Sequence, residues 1–262
     1  MKIIAISGYK SFIGNHFYHL NKKKNKIFHY KKDINNIPEL KKFIIKYKIT
    51  HFVNFAGLSR LKCSKNKSEC LKTNFKSIKL IINYFNKLRK KPMFIFISTC
   101  HVYGNSNKKL NENSKISPNS LYAEIKLKSE NYIKRNYENY SILRLFNVYG
   151  PNQPMSFFIP DIIEKVKKKQ IIKIDNSIRD FIHVNTVSRI IKFIINKEII
   201  GVLNVGSGRG QSLKSIINRI GHNIKIKPLV KVLKKKTKII ADLRLLESKG
   251  FKFKKNEKNF NI

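Results

Sequence analysis

Apolar runs of strand length take turns with helical patterns along the first 150 residues, and this order constrains the fold more than any other feature. The runs are Ile3–Ile6, Lys26–His29, His51–Asn54, Phe94–Ile97 and Ser141–Leu145. Helical patterns lie between them. The clearest carries Leu71, Phe75, Ile78, Ile81, Ile82, Phe85 and Leu88 on one face, three or four residues apart. Another runs from about Ser120 to Asn136. A strand, helix, strand order requires crossovers, so it predicts an α/β fold with a parallel, doubly wound sheet covered by helices on both faces. After Gly150-Pro151 the order loosens. The pattern predicts a helix over Phe157–Lys169, a strand at Ile171–Ile174, an interrupted return to the sheet over Asp180–Ile194, and a strand at Val202–Val205. Helices at about Ser212–Ile220 and Asp242–Ser248 follow. The Lys231–Lys238 stretch and the tail after Lys252 read as solvated surface.

The chain has 262 residues, of which 42% are hydrophobic, enough for one large domain with a small annex. There is no apolar run of about 18 residues, so no spanning helix is expected. Met1 leads directly into the first strand, which does not suggest a signal peptide. Cys63, Cys70 and Cys100 are odd in number and lack metal-ligand spacing, which favours a reduced, cytoplasmic compartment and no bound metal. The formal charge of +41 raises the possibility of a nucleic-acid partner. The 47 Lys are spread along the whole chain, however, and only nine residues are Arg, the better reader of phosphate and base edges. Abundant Asn, Ile, Phe and Tyr accompany the Lys, as in drift toward AT-rich codons. The reading is a solvated basic surface with no nucleic-acid or membrane partner, which attracts anionic substrates.

Three motifs carry chemistry. Gly8-Tyr9-Lys10-Ser11-Phe12-Ile13-Gly14 follows the first strand and opens a helix. Gly8 would allow a tight turn and Gly14 a close helix–strand approach, which aims the helix N-terminus at a pyrophosphate. Ser11 stands where a glycine usually lets the backbone approach; its hydroxyl could donate to phosphate instead. The second motif is Phe96-Ile97-Ser98-Thr99-Cys100-His101-Val102-Tyr103-Gly104, at the end of the fourth strand. The third is Tyr122-Ala123-Glu124-Ile125-Lys126, whose Tyr and Lys share one helix face. A phenol has a pKa near ~10, so a neighbouring ammonium is needed to favour its ionised form. Thr99 would hold the oxygen whose proton moves.

With these residues in order, the chain resembles the extended short-chain dehydrogenases/reductases, the NAD-dependent epimerase/dehydratase family that acts on nucleotide sugars. Further elements of the resemblance are Asp33-Ile34, Val53-Asn54-Phe55-Ala56-Gly57, Asn74, Arg144-Leu145-Phe146-Asn147-Val148-Tyr149-Gly150-Pro151, Arg179-Asp180-Phe181-Ile182-His183-Val184 and Leu203-Asn204-Val205-Gly206-Ser207-Gly208. The resemblance implies a Rossmann dinucleotide-binding domain over 1–150 with a return segment at about 177–206. It also implies a small substrate-binding domain from 151–176 and 207–262. Thr99, Tyr122 and Lys126 would be catalytic. Gly8, Lys10, Ser11, Phe12, Ile13, Gly14, Asp33, Ile34, Phe55, Ala56 and Gly57 would hold the cofactor together with Tyr122 and Lys126. Asn74 would lie near the active-site helix. Thr99, His101, Asn147 and Arg179 would meet the nucleotide sugar, Arg179 by bidentate bonds to its pyrophosphate. Asn147 as a turn cap and Arg179 as a surface ion-pair partner are the structural alternatives. The helices around 66–89 and 120–136 form a dimer interface in such relatives, so a homodimer is expected.

The chain departs from the sugar 4,6-dehydratases at Cys100 and His101, where that group carries an Asp-Glu pair, which argues against 4,6-dehydration. His101 matches an acid/base of the double epimerases, but the second acid/base falls near Phe157, which transfers no proton. Phe28-His29-Tyr30-Lys31-Lys32 holds no acid for a ribose 2′-hydroxyl, and Lys10 lies in the glycine loop, so the cofactor reading leans to NADP. Three functions stay open: a nucleotide-sugar 4-ketoreductase, a 4-epimerase with tightly bound NAD, and a cofactor-binding sensor or scaffold without turnover.

Overall fold

The structure, a computed structural model, describes residues 2–23, 26–234 and 236–260. It divides into two units. The first comprises residues 1–104, 115–145 and 188–203, the second 105–114, 146–187 and 204–262.

β1 (Ile3–Ser7) is followed by Gly8, and α1 (Phe12–Asn21) begins four residues after that glycine, capped by the Ser11 hydroxyl, which accepts the Gly14 N–H at 3.2 Å. β2 (Lys26–Tyr30) leads to α2 (Ile37–Tyr47). Asn36 caps α2, Pro38 occupies its first turn, and Lys48 stops it in a left-handed conformation. β3 (His51–Asn54) is followed by two short helices, α3 (Arg60–Lys65) and α4 (Lys67–Leu71), capped by Ser59 and Asn66. A π-helical turn over Lys72–Lys76 then runs into α5 (Ser77–Phe85). β4 (Met93–Thr99) and a 3₁₀ turn over Cys100–Val102 precede α6 (Leu121–Asn136), capped by Ser120, and β5 (Tyr140–Leu145).

The chain continues through β6 (Asn147–Tyr149), α7 (Phe158–Lys167), β7 (Ile171–Asp175), β8 (Ile178–His183), α8 (Val184–Lys197) and β9 (Gly201–Val205). β10 (Gly210–Ser212), α9 (Leu213–Asn223), β11 (Leu229–Leu233), β12 (Lys238–Ile239) and α10 (Arg244–Ser248) complete it.

The main sheet is parallel, with strand order β2-β1-β3-β4-β5-β9, as the alternating pattern predicts. The order reverses direction between β1 and β3, so the carboxyl ends of β1, β3 and β4 open a crevice of the kind that binds ligands in doubly wound folds. The core of the first unit packs Phe52, Phe94 and Phe96 of the sheet against Leu40 and Ile44 of α2 and Ile78, Ile81, Ile82 and Phe85 of α5. The second unit has its own core, where Ile159, Ile162 and Val166 of α7 meet Ile216, Ile217 and Ile220 of α9.

Three expectations are corrected. The helical pattern from Leu71 to Leu88 is interrupted by the π-turn rather than continuous. The segment expected to return to the main sheet from Asp180 instead forms β8, which pairs with β6, β10 and β12. The Lys231–Lys238 stretch is mostly exposed among its described residues, as expected of solvated surface; its ends belong to β11, which runs parallel to β7, and β12, which pairs with β8. The tail after Lys252 is not all solvated, because Phe260 is 1% exposed and packs on Tyr149 and Phe181 with ring centroids 4.6 and 5.4 Å away. Burying one such ring contributes about 2–3 kcal/mol toward holding the Lys-rich segment in place.

Candidate active site

β1 delivers the glycine loop. Gly8 has φ +65, and a Cβ there would stand 2.5 Å from the Ala56 nitrogen. A Cβ on Gly14 would stand 2.6 Å from the Gly8 carbonyl oxygen. Only glycine fits either place, so the loop lies tight against the end of β3, and α1 starts close behind it. The Ser11 hydroxyl caps α1, a different task from the phosphate donation the sequence suggests. Lys10 is exposed, and its ammonium lies 6.0 Å from the Tyr9 ring centroid. Phe12 and Ile13 open α1.

Beyond β3, Phe55 packs on Phe17, and the Ala56 N–H lies 3.4 Å from the Ser7 hydroxyl. Gly57 leaves room for two polar groups: a Cβ there would meet Asn74 Oδ1 at 3.0 Å and Lys126 Nζ at 3.6 Å. Asn74 sits in the π-turn, a kind of irregularity common at functional sites. Its Oδ1 accepts the Leu58 N–H at 2.7 Å, its Nδ2 donates to the Leu58 carbonyl at 3.0 Å, and its own carbonyl accepts the Ser129 hydroxyl. It therefore pins the loop after β3 to α6.

At the end of β2, no carboxylate is available for a ribose. The buried Tyr30 hydroxyl donates to the carbonyls of Asp33 and Asn36. Asp33 accepts the backbone and side-chain N–H groups of Asn35, which hold its carboxyl below the usual range. Ile34 is buried beside it.

Thr99 ends β4 and caps the following turn, accepting the His101 N–H at 3.2 Å. Across from it, Tyr122 lies near enough to the Thr99 side chain to feel its hydroxyl. Burial pushes the Tyr122 phenol up to about 12, with the buried Cys100 adding to the rise and the Thr99 hydroxyl opposing it. One turn along α6, the Lys126 ammonium donates to the Ile97 carbonyl at 2.8 Å and lies 4.6 Å from the Phe96 ring centroid. Burial pushes it down to about 8, against the pull of Glu130. At neutral pH the pair is a phenol beside an ammonium, both partly withdrawn from water. No carboxylate stands at 100 or 101.

Thr99, Tyr122, Lys126 and the glycine-loop residues all belong to the first unit. Asn147 and Arg179 belong to the second. Asn147 donates to the Asp180 carbonyl at 2.9 Å. The Arg179 guanidinium is bonded to the Ile178 and Thr237 carbonyls and the Thr237 hydroxyl. Asp180 is fully buried, and its carboxylate accepts the Ser207, Gly208 and Ala241 N–H groups.

Two features escape a sequence reading. Cys63 and Cys70 form a disulfide, which corrects the expectation of reduced thiols. The break at Asn66 turns α4 back on α3 so that the two sulfurs meet beneath Asn74, whose Nδ2 is 3.4 and 3.5 Å from them. Glu130 is the second: it is a buried carboxylate one turn beyond Lys126, and the four-residue spacing is the signal that marks it. Among the described residues, no three His, Cys, Asp or Glu side chains are grouped to hold a metal ion, and no helix is long and apolar enough to cross a membrane.

Residues 4–206 match the profile of the NAD dependent epimerase/dehydratase family. The GDP-6-deoxy-D-talose 4-dehydrogenase of Aggregatibacter actinomycetemcomitans is 33% identical over 126 residues, 45% of this chain and 43% of that protein. The chain thus spans less than half the length of the curated relatives it matches. Among solved structures, a UDP-N-acetylglucosamine 4-epimerase from Methanobrevibacter ruminantium superposes with a TM-score of 0.83 at 24% identity, covering 96% of this chain and 92% of that one. The dTDP-4-dehydrorhamnose reductase of Bacillus anthracis, solved with NADP, gives 0.85 at 18% identity, covering 96% and 93%. At these identities the likeness carries the fold.

Proposed function

The chain belongs to the NAD dependent epimerase/dehydratase family, and from that membership we propose that it is an enzyme transferring hydride at C4 of a nucleotide sugar, as a 4-ketoreductase. The observation that carries this reading is the grouping of Thr99 at the end of β4 with buried Tyr122 and Lys126 on one face of α6, with Cys100 and His101 in place of carboxylic acids. The cradle of Gly8 and Gly14, where any Cβ would strike backbone, fits a dinucleotide pyrophosphate. When bound, the nicotinamide supplies the hydride. Thr99 orients the carbonyl oxygen of the sugar. Tyr122, protonated at neutral pH, gives that oxygen its proton, which is the direction a reduction needs. Lys126 stabilises the phenolate left behind and sits where it can hold the nicotinamide ribose. Asn147 and Arg179 are the proposed contacts for the sugar and the pyrophosphate, and His101 is a proposed sugar contact.

NADP is the cofactor of this reading. Tyr30 turns its hydroxyl into the loop at 33–36, Asp33 is engaged by Asn35, and Lys10 and Lys31 are exposed near the loop where a 2′-phosphate would be met. A cytoplasmic homodimer completes the proposal, although the Cys63–Cys70 disulfide weighs against a strongly reducing compartment.

The test is a panel of nucleotide sugars and their 4-keto derivatives with NADH or NADPH, reading nicotinamide absorbance and product stereochemistry together. One NADPH oxidised per 4-keto sugar reduced is the expected result. Inversion at C4 with no net change in absorbance would replace the ketoreductase by an epimerase. Tight cofactor binding without turnover of any substrate would point to a sensor or scaffold.

A further inference from the structure

Tyr122, Lys126 and Glu130 follow one another at four-residue intervals on α6 and so share one face. The first two meet the reacting groups in the reading above. Glu130 is 0% exposed, and every contact it makes points back to the same place. Its Oε1 accepts the Ser98 hydroxyl at 2.5 Å and the Arg144 Nε–H at 3.2 Å. Its Oε2 accepts Arg144 Nη2–H at 2.7 Å and Nε–H at 3.1 Å. Arg144 is 3% exposed; its Nη1 donates to the Tyr103 hydroxyl at 2.8 Å, and its guanidinium lies 4.7 Å from that ring's centroid. The network joins α6, β4, β5 and the segment that follows Thr99.

Stability alone gives little reason for this arrangement. A buried ion pair loses most of its attraction to desolvation, and well-packed apolar side chains of the same size would serve as well or better. Its position gives a reason. Lys126 fastens α6 to Ile97, Glu130 fastens it to Ser98, and the next residue on β4 is Thr99.

We propose that Glu130 is a positioning residue: through Ser98 and Arg144 it fixes the height of α6 on β4, and so sets where Tyr122 and Lys126 stand relative to Thr99. The inference rests on the enzymatic reading for its catalytic consequence but not for its geometry. The Glu130 charge also acts on Lys126. The groups that face Lys126 are Tyr122 and Glu130 from its own helix, the Ile97 carbonyl and Phe96 ring from β4, and Asn74 beside Gly57; Cys100 faces Tyr122. Glu130 is the only acid among them, and it raises the affinity of Lys126 for its proton against desolvation.

Glu130→Gln alone leaves Arg144 buried without a counter-charge and can fail to fold, so the main variant is the pair Glu130→Gln with Arg144→Met, which removes both charges. Ser98→Ala is the companion, since it cuts the link to β4 and keeps the ion pair. Each full-length protein is titrated by NMR on ¹³C-labelled lysine, with the Lys126 signal identified by its loss in Lys126→Met, and kcat and KM are measured on the best substrate of the panel. In the paired variant the Lys126 midpoint falls from about 8 by about one pH unit, and kcat drops about 10- to 100-fold with KM little changed. Ser98→Ala lowers kcat while the Lys126 midpoint stays. Folded variants with unchanged kcat overturn the proposal, and so does a paired variant whose Lys126 midpoint does not move. If the parent protein turns over none of the panel, the enzymatic reading falls. The Lys126 titration and the Ser98→Ala comparison of Tyr122 ring signals then still decide the positioning role: displaced signals support it and unchanged ones overturn it.

Discussion

The Tyr122 phenol, pushed up to about 12 by burial, is a proton donor at neutral pH and a poor base. Lys126, down to about 8, is still mostly an ammonium there. In the proposed reaction these protonation states suit the reductive direction. Tyr122→Phe removes the proton and leaves the ring, so kcat is expected to fall by about 10²- to 10⁴-fold while cofactor binding, followed by nicotinamide fluorescence, is kept. Turnover within a few-fold of the parent would sink the mechanism. The shared face of Tyr122 and Lys126 was legible in the sequence because covalent spacing puts them on one side of a helix whatever surrounds them. Glu130 was not, since an acid on a helix is usually solvated, and its burial depends on Arg144 arriving from a strand 14 residues away. Ser11 was legible as part of a loop but not in its role, because capping or phosphate contact depends on where the hydroxyl turns.

At the scale of elements, the segment between β3 and α5 departs most from its pattern. Its apolar spacing reads as one helix, yet the chain makes α3, α4, a π-turn and α5. The π-turn places Asn74 inward, where it holds Leu58 and Ser129, and the disulfide joins α3 to α4 just beneath it. Leu58, Leu121 and Tyr122 pack against the cluster formed by Cys63, Cys70 and Ile125. Closing a loop this short by a disulfide contributes roughly 2–3 kcal/mol through the unfolded chain. Cys63→Ser with Cys70→Ser, or a dithiol reductant applied to the parent, should therefore lower the thermal midpoint by several degrees in calorimetry, and the reductant should have no further effect on the variant. Equal midpoints with and without reductant in the parent would show that the bond contributes nothing.

For the whole molecule, charge and assembly are the measurable quantities. With a formal charge of +41, the surface would attract the proposed anionic nucleotide sugar over distances set by screening. The Debye length falls from about 30 Å at 0.01 M salt to about 8 Å at 0.15 M, so KM should rise several-fold across that range while kcat stays nearly constant. A KM indifferent to salt would mean that local contacts alone govern capture. The proposed homodimer would use α5 and α6, where Leu80 is an exposed apolar side chain. Sedimentation at micromolar concentration should give twice the chain mass of 30.7 kDa; a monomer throughout would remove the dimer from the proposal.

By itself, the sequence determined the alternating layers, the tight glycine turn and the Tyr122–Lys126 face. Each of these follows from local periodicity or from a steric limit on one residue. Only the tertiary structure decided that Cys63 and Cys70 meet, that β8 leaves the main sheet, and that Phe260 holds the tail down. It alone showed the buried ion pair of Glu130 and Arg144, which reaches Ser98 next to Thr99. These depend on partners far apart in the chain, and spacing along a sequence carries no distance between them. The reading of Tyr122 and Lys126 came from the sequence; what positions them came from the fold.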